Sequence, residues 1–241
     1  MTAASLLMEC WDCAERLSSQ WRPLGLLVPT VQEVDIDLIA ALPVGRLDAR
    51  LLDLRRRLFG EGMEALAHCP ACGLAFELTF SVADVKAAAP PGAVHRVAHD
   101  GWAIDFRLPD SRDMHAAAKS GGVDEARRVL IRRCVMNVTR RSRRRPVDDV
   151  PEELIEQMEE VMAGADPQAD LRLKLRCPSC QVAWDADLDV GAFVTAEVSA
   201  GARRLLRDVH RLAIAYGWSE AEVLNMAPYR RRAYLELVGG E

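Results

Sequence analysis

His68-Cys69-Pro70-Ala71-Cys72-Gly73 and Arg176-Cys177-Pro178-Ser179-Cys180-Gln181 are the two stretches that decide how this chain folds. Each places a proline directly after the first of two cysteines separated by two residues. That spelling is a metal knuckle, a tight turn aiming two sulfurs and several backbone N–H groups at one cation, with Gly73 allowing the positive φ such turns need. Two knuckles supply the four ligands of tetrahedral zinc, so Cys69, Cys72, Cys177 and Cys180 are read as the ligands of one structural Zn2+. Four thiolates fill the shell and leave no open position for a reacting group, which makes the metal non-catalytic. A redox pair would sit at a helix N-terminus after a buried strand, and no helical pattern follows either knuckle. His68 is read as a group beside the site, because its neighbour Cys69 already holds the cation.

The segment after each knuckle is a repeat. Leu74, Phe76, Leu78, Phe80 and Val82 alternate with polar or small residues, as do Val182, Trp184, Ala186, Leu188 and Val190. These patterns predict two matching half-buried strands. Leu171, Leu173 and Leu175 predict a further strand entering the second knuckle. About a hundred residues separate the knuckles, against roughly fifteen to twenty in a compact ribbon. The expected fold is therefore α+β and mainly helical: a split four-cysteine zinc ribbon at 66–83 and 171–190, interrupted by a mainly helical insertion at 84–170. An N-terminal helical segment, 1–65, and C-terminal helices, 191–241, flank it.

Cys10-Trp11-Asp12-Cys13 is a third C-x-x-C, without the proline or glycine of a knuckle. It lies in a helical run from Ser5 to Leu17, where Leu6, Leu7, Cys10, Cys13, Ala14 and Leu17 recur at three- and four-residue steps, so both thiols are read as small core residues. Cys134 sits in an apolar run expected to be helical from Val123 to about Thr139. Pro23 to Pro29 reads as a loop. Leu47 to Phe59 reads as an amphipathic helix rich in arginine and closed by Gly60. Trp102, Ile104, Phe106 and Leu108 alternate as a strand.

The 241 residues carry 31 Lys plus Arg against 36 Asp plus Glu, a net charge of −5, so no global positive field holds a polyanion. No stretch of about eighteen apolar residues and no export signal is present, which points to a cytoplasmic protein without a membrane segment. The dense basic run, Arg140, Arg141, Arg143, Arg144 and Arg145, has two readings. It is either a solvated helix end, where cations complement the dipole, or a contact for nucleic acid or an acidic protein surface. No Ser-His-Asp arrangement, phosphate-cradling loop or carboxylate pair stands out, so an enzyme is not expected.

Residues His210 to Leu224, HRLAIAYGWSEAEVL, followed by Pro228 to Leu237, PYRRRAYLEL, carry a resemblance. They are similar to the tail of baseplate-associated proteins of contractile phage tails and phage-tail-like contractile injection systems, a family related to the hub assembly chaperone of T-even phages. Leu54 to Gly60, an Arg-rich leucine helix ending in Leu-Phe-Gly, and the Cys69 to Gly73 knuckle also resemble that family. The likeness covers roughly 42–82 and 171–238, and it is the order of the motifs that is specific. It implies a non-enzymatic structural or assembly, chaperone-like protein whose partners are baseplate or hub proteins; the alternative, drawn from the arginine run and not from the resemblance, is a nucleic-acid-binding zinc-ribbon protein using Arg140 to Arg145. Trp218, Tyr229, Arg230, Arg231, Arg232 and Tyr234 are the expected partner-binding residues, since aromatic and Arg side chains dominate many interfaces.

Overall fold

The computed structural model describes residues 2–31, 35–87 and 94–239. The chain opens with helices α1 (Ala3–Glu15), α2 (Arg22–Leu27), α3 (Ile36–Ala40) and α4 (Val44–Phe59). Strands β1 (Gly62–His68) and β2 (Ala75–Ser81), the short helix α5 (Val82–Val85), and strands β3 (His95–His99) and β4 (Trp102–Phe106) come next. Helices α6 (Ser111–Ala118) and α7 (Val123–Cys134) lead to β5 (Val135–Arg140) and β6 (Arg143–Arg144). Helix α8 (Glu152–Ala165) precedes β7 (Arg172–Arg176) and β8 (Ala183–Asp187), and α9 (Val190–Tyr216), α10 (Glu220–Asn225) and α11 (Pro228–Gly239) complete it. Helix and sheet are thus mixed.

Two units form. One comprises residues 1–36, 51–61 and 189–241; the other comprises 37–50 and 62–188. In the first, α1, α9 and α10 share a core of Leu7, Met8, Ala202, Leu205 and Leu224, with Leu58 and Phe59 of α4 packed against it. Arg55 is 3% exposed there, and its guanidinium donates to both carboxylate oxygens of Glu197 on α9, at 2.9 and 3.1 Å, and to the Gly60 carbonyl at 2.7 Å. One arginine of the Arg-rich helix is therefore a clasp. Asp189 caps α9 through the Ala192 N–H, and Gly217, at φ 72°, ends it.

The second unit holds two separate two-stranded antiparallel hairpins, β1–β2 and β7–β8, and a four-stranded antiparallel sheet of order β3-β4-β5-β6. Val97, Trp102, Ile104, Phe106 and Val138 of the sheet meet Leu154, Ile155 and Met158 of α8 in one core. Each such side chain, fully buried, contributes about 1.5–3 kcal/mol, so apolar burial in a cluster that contains no cysteine holds this sheet to α8.

Three local expectations need correction. The helix expected to reach Thr139 ends at Cys134, and β5 starts at once. The apolar positions Ile131, Cys134, Val135 and Val138 satisfy a helical period, but Val135 and Val138 face Phe106 and Ile104 across a ladder, where β-branched side chains pack better. The arginine run is consequently a hairpin and not a helix end. The Pro23 to Pro29 loop is instead helical, because Pro23 sits in the first turn of α2, where its missing N–H is no loss.

Candidate metal centre

β1 and β7 each deliver the chain into a knuckle, and β2 and β8 carry it away. In the first knuckle the Cys69 N–H donates to the Leu74 carbonyl at 2.9 Å and the Gly73 N–H to the Cys69 carbonyl at 2.9 Å. In the second, the Cys177 N–H donates to Val182 at 2.9 Å and the Gln181 N–H to Cys177 at 3.1 Å. Gly73 and Gln181 occupy the same position and the same left-handed region, φ 73° and 62°. Glycine adopts it freely. Gln181 does so while its Nε2 donates to the Pro178 carbonyl at 3.1 Å, a local hydrogen bond that offsets part of the strain.

The two turns bring four sulfurs together. Cys69 Sγ lies 3.5 Å from Cys180 Sγ, Cys72 Sγ lies 3.6 Å from Cys177 Sγ, and all four are within 4.8 Å of one another. A tetrahedron with metal–sulfur bonds of about 2.3 Å has sulfur–sulfur edges of about 3.8 Å, so the donor set fits a tetrahedral dication. Cys69 and Cys177, the first cysteine of each knuckle, are buried, while Cys72 and Cys180 are exposed. Among the described residues these four are the one group of Cys, His and carboxylate side chains close enough to share a metal.

The protonation pattern fits the same chemistry. The N–H of Cys180, and then that of Ser179, pull the Cys177 thiol down to about 6. The N–H of Cys72 likewise lowers Cys69. At Cys180 the Val182 N–H also pulls down, but desolvation and the sulfurs of Cys69 and Cys177 outweigh it and push the thiol up to about 12. Without a cation the cluster accepts some negative charge and resists more; a divalent metal removes that conflict.

Cys10 belongs to the other unit and is fully buried in α1, where burial and then Cys13 push its thiol up to about 12. Burial, followed by the charge of Asp113, also holds Cys134 at about 12. Sequence reasoning missed a buried ion cluster at Asp113. Asp113 is 0% exposed and accepts from Arg107 Nη1 at 2.5 Å, Arg107 Nη2 at 3.0 Å, Arg133 Nε at 2.7 Å and the Asp110 N–H at 3.0 Å. An Asp-x-x-Asp capping box was its only sequence signal.

The expected partner-binding residues divide. Trp218 stacks on Tyr216 at 4.6 Å between centroids and meets Tyr234 edge-on at 4.8 Å. Arg231 points to Asp208, with Nε 3.4 Å from the carboxylate. Tyr229 is 74% exposed, and Arg230 and Arg232 are exposed beside it. Arg140, Arg141, Arg143, Arg144 and Arg145 ring the tip of the β5–β6 hairpin and are exposed. No helix among the described residues is long and apolar enough to cross a membrane.

Compared with known proteins, residues 28–189 match the profile of the family described as T4 bacteriophage base plate protein. That span contains both knuckles and stops before α9, so the C-terminal helices lie outside it. No curated protein and no solved structure matches the chain.

Proposed function

This chain belongs to the T4 bacteriophage base plate protein family, and on that premise we propose that it is a non-enzymatic structural or assembly protein of a contractile tail baseplate, stabilised by a structural Zn2+. The family match across 28–189 is the observation that carries the reading. The metal is bound by Cys69, Cys72, Cys177 and Cys180, and the two hairpins behind them act as a zinc ribbon split by the 84–170 insertion. Thiolates at four corners leave no position at which a substrate or an activated water could bind. The metal's role is then to join segments distant in sequence, a constraint of the kind that closes a long loop.

The chaperone-like role, association with hub proteins and residence in the cytoplasm before assembly rest on the resemblance of the motifs within 42–82 and 171–238. In that role Trp218, Tyr234 and Arg231 fix the arrangement of α9 and α11, while Tyr229, Arg230 and Arg232 meet the partner. Arg231 makes a poor probe of binding, because its loss strands Asp208.

The test is removal of the chain from a system that makes contractile tails. Tubes and sheaths without completed baseplates are expected; normal numbers of complete particles would overturn the proposal. Mass spectrometry of purified particles separates a retained component from a released assembly factor. Arg230→Glu with Arg232→Glu should keep one zinc per chain and lose co-purification with baseplate proteins.

A further inference from the structure

The hairpin that ends the four-stranded sheet carries charge that no carboxylate among the described residues neutralises. β5 and β6 are joined by Arg141 and Ser142, both left-handed at φ 47° and 64°. A twisted two-residue hairpin favours that turn, but Asn-Gly fills it with least strain, and Arg-Ser does not. Arg140 and Arg143 are direct cross-strand partners, and like charges opposite each other weaken a ladder. Local stability therefore does not account for these residues.

The ion pairs of the same unit sharpen the contrast. Arg107, Arg112, Arg127, Arg128, Arg132 and Arg133 each lie 2.5–3.4 Å from a carboxylate. Arg140, Arg141, Arg143, Arg144 and Arg145 are exposed, and none pairs with a carboxylate among the described residues. Arg140 is held in place with its guanidinium carbon 5.0 Å from the centroid of Trp102, a ring only 6% exposed. The ladder puts Trp102, Arg140 and Arg143 on one face and Ala103, Thr139 and Arg144 on the other. Guanidinium groups thus surround the tip on both faces.

We propose that this hairpin tip docks into an acidic protein surface, its arginines hydrogen-bonding to the Asp and Glu carboxylates of the partner. Planar guanidinium groups match carboxylates through paired N–H donors, and a turn already paired as a hairpin loses less freedom on docking than an unpaired segment would. A single-stranded nucleic acid is disfavoured because Trp102, the ring at the tip, is covered and offers no base a stacking surface, and a duplex is the competing probe in the test. The inference stands on this charge accounting and not on the family assignment.

The test uses the full, zinc-loaded chain with two fluorescent probes, poly-L-glutamate and a DNA duplex, each at ~0.15 M salt. Polyglutamate should bind the natural chain, about tenfold more weakly after Arg143→Glu with Arg144→Glu, and to an intermediate degree after Arg143→Lys with Arg144→Lys. The Glu variant should melt no lower than the natural chain, since position 143 then opposes Arg140 with the opposite sign. Equal binding by the Glu variant, or no binding by the natural chain, overturns the proposal. So does a lower melting temperature, which makes the arginines structural, or hairpin-dependent binding of the duplex in preference to polyglutamate, which makes the tip a nucleic-acid surface.

Discussion

Phe76 and Trp184 meet edge to face, ring centroids 6.1 Å apart and planes at 90°, each seven residues beyond the first cysteine of its knuckle. The pairings Ala67 with Phe76 and Leu175 with Trp184 share that displacement, as do Glu64 with Thr79 and Arg172 with Asp187. One hairpin therefore occurs twice in the same register, and the copies touch through equivalent aromatics as well as through sulfur. An edge-to-face pair contributes about 0.5–1.5 kcal/mol beyond its buried area. Phe76→Ala and Trp184→Ala should each weaken zinc affinity by about two- to twelvefold in a chelator competition. The double variant should be less impaired than the sum of the two.

Whether an element is legible in the sequence depends on how local its signal is. The knuckles and the strands after them are readable because ligand spacing and period-two alternation are local. β1 is not, since Met63 is its one buried residue and the others alternate between half-buried and exposed, which leaves almost no apolar pattern. β5 reads as helix because Cys134 and Val138 fit either period, and only the partner strand β4 decides between them. That sulfurs on segments a hundred residues apart share a centre is an expectation of tetrahedral chemistry, and the geometry bears out their convergence. Asp113 escapes notice because its partners, Arg107 and Arg133, come from separate elements.

Zinc uptake should release protons. The thiols of Cys72 and Cys180 are raised above the ordinary 9.0 while Cys177 falls to about 6, so binding at neutral pH should displace about two to three protons per chain. Calorimetry in buffers of different ionisation enthalpy measures that number. Affinity should fall steeply as pH drops through about 6, where Cys177 also takes a proton. In the metal-free chain, the lowered Cys177 stabilises the fold above 9.0, and that contribution is lost as pH falls through about 6. The raised Cys180 acts oppositely, its contribution present below 9.0 and lost as pH rises toward about 12. Cys13→Ser should leave zinc content unchanged, because Cys13 is not in the cluster.

Acid should loosen the insertion through Asp113. Burial would raise this carboxyl, but hydrogen bonds from Arg107, Asp110 and Arg133 outweigh it and hold it at about 2, below the usual 3.8. A lowered acid stabilises the fold above its unfolded value and loses that contribution as pH falls through its folded value. The window is therefore pH 4 to 2, and the contribution is about 2 kcal/mol at neutral pH. Asp113→Asn should remove a comparable amount of stability at pH 7 in urea unfolding and flatten the acid limb. An unaltered limb would show that another carboxylate governs acid unfolding.

The Arg55 clasp offers the sharpest test of the Arg-rich helix. Arg55 is 3% exposed and holds the Glu197 carboxylate with two donors while a third reaches the Gly60 carbonyl, so the end of α4 is tied to α9 by one planar group. Breaking a buried pair by removing one partner costs about 3–5 kcal/mol, and the partial exposure of the Glu197 side chain, 27%, reduces this to about 2–3 kcal/mol here. Arg55→Ala should lower the unfolding free energy by that amount. Arg55→Lys should recover only a minor part, since an ammonium cannot span both carboxylate oxygens and the Gly60 carbonyl in one plane. Arg56, exposed and, among the described residues, paired with Asp53 at 3.3 Å, should lose less than about 0.5 kcal/mol as alanine. Similar losses at the two positions would mean that the helix needs positive charge in general rather than the Arg55 fork.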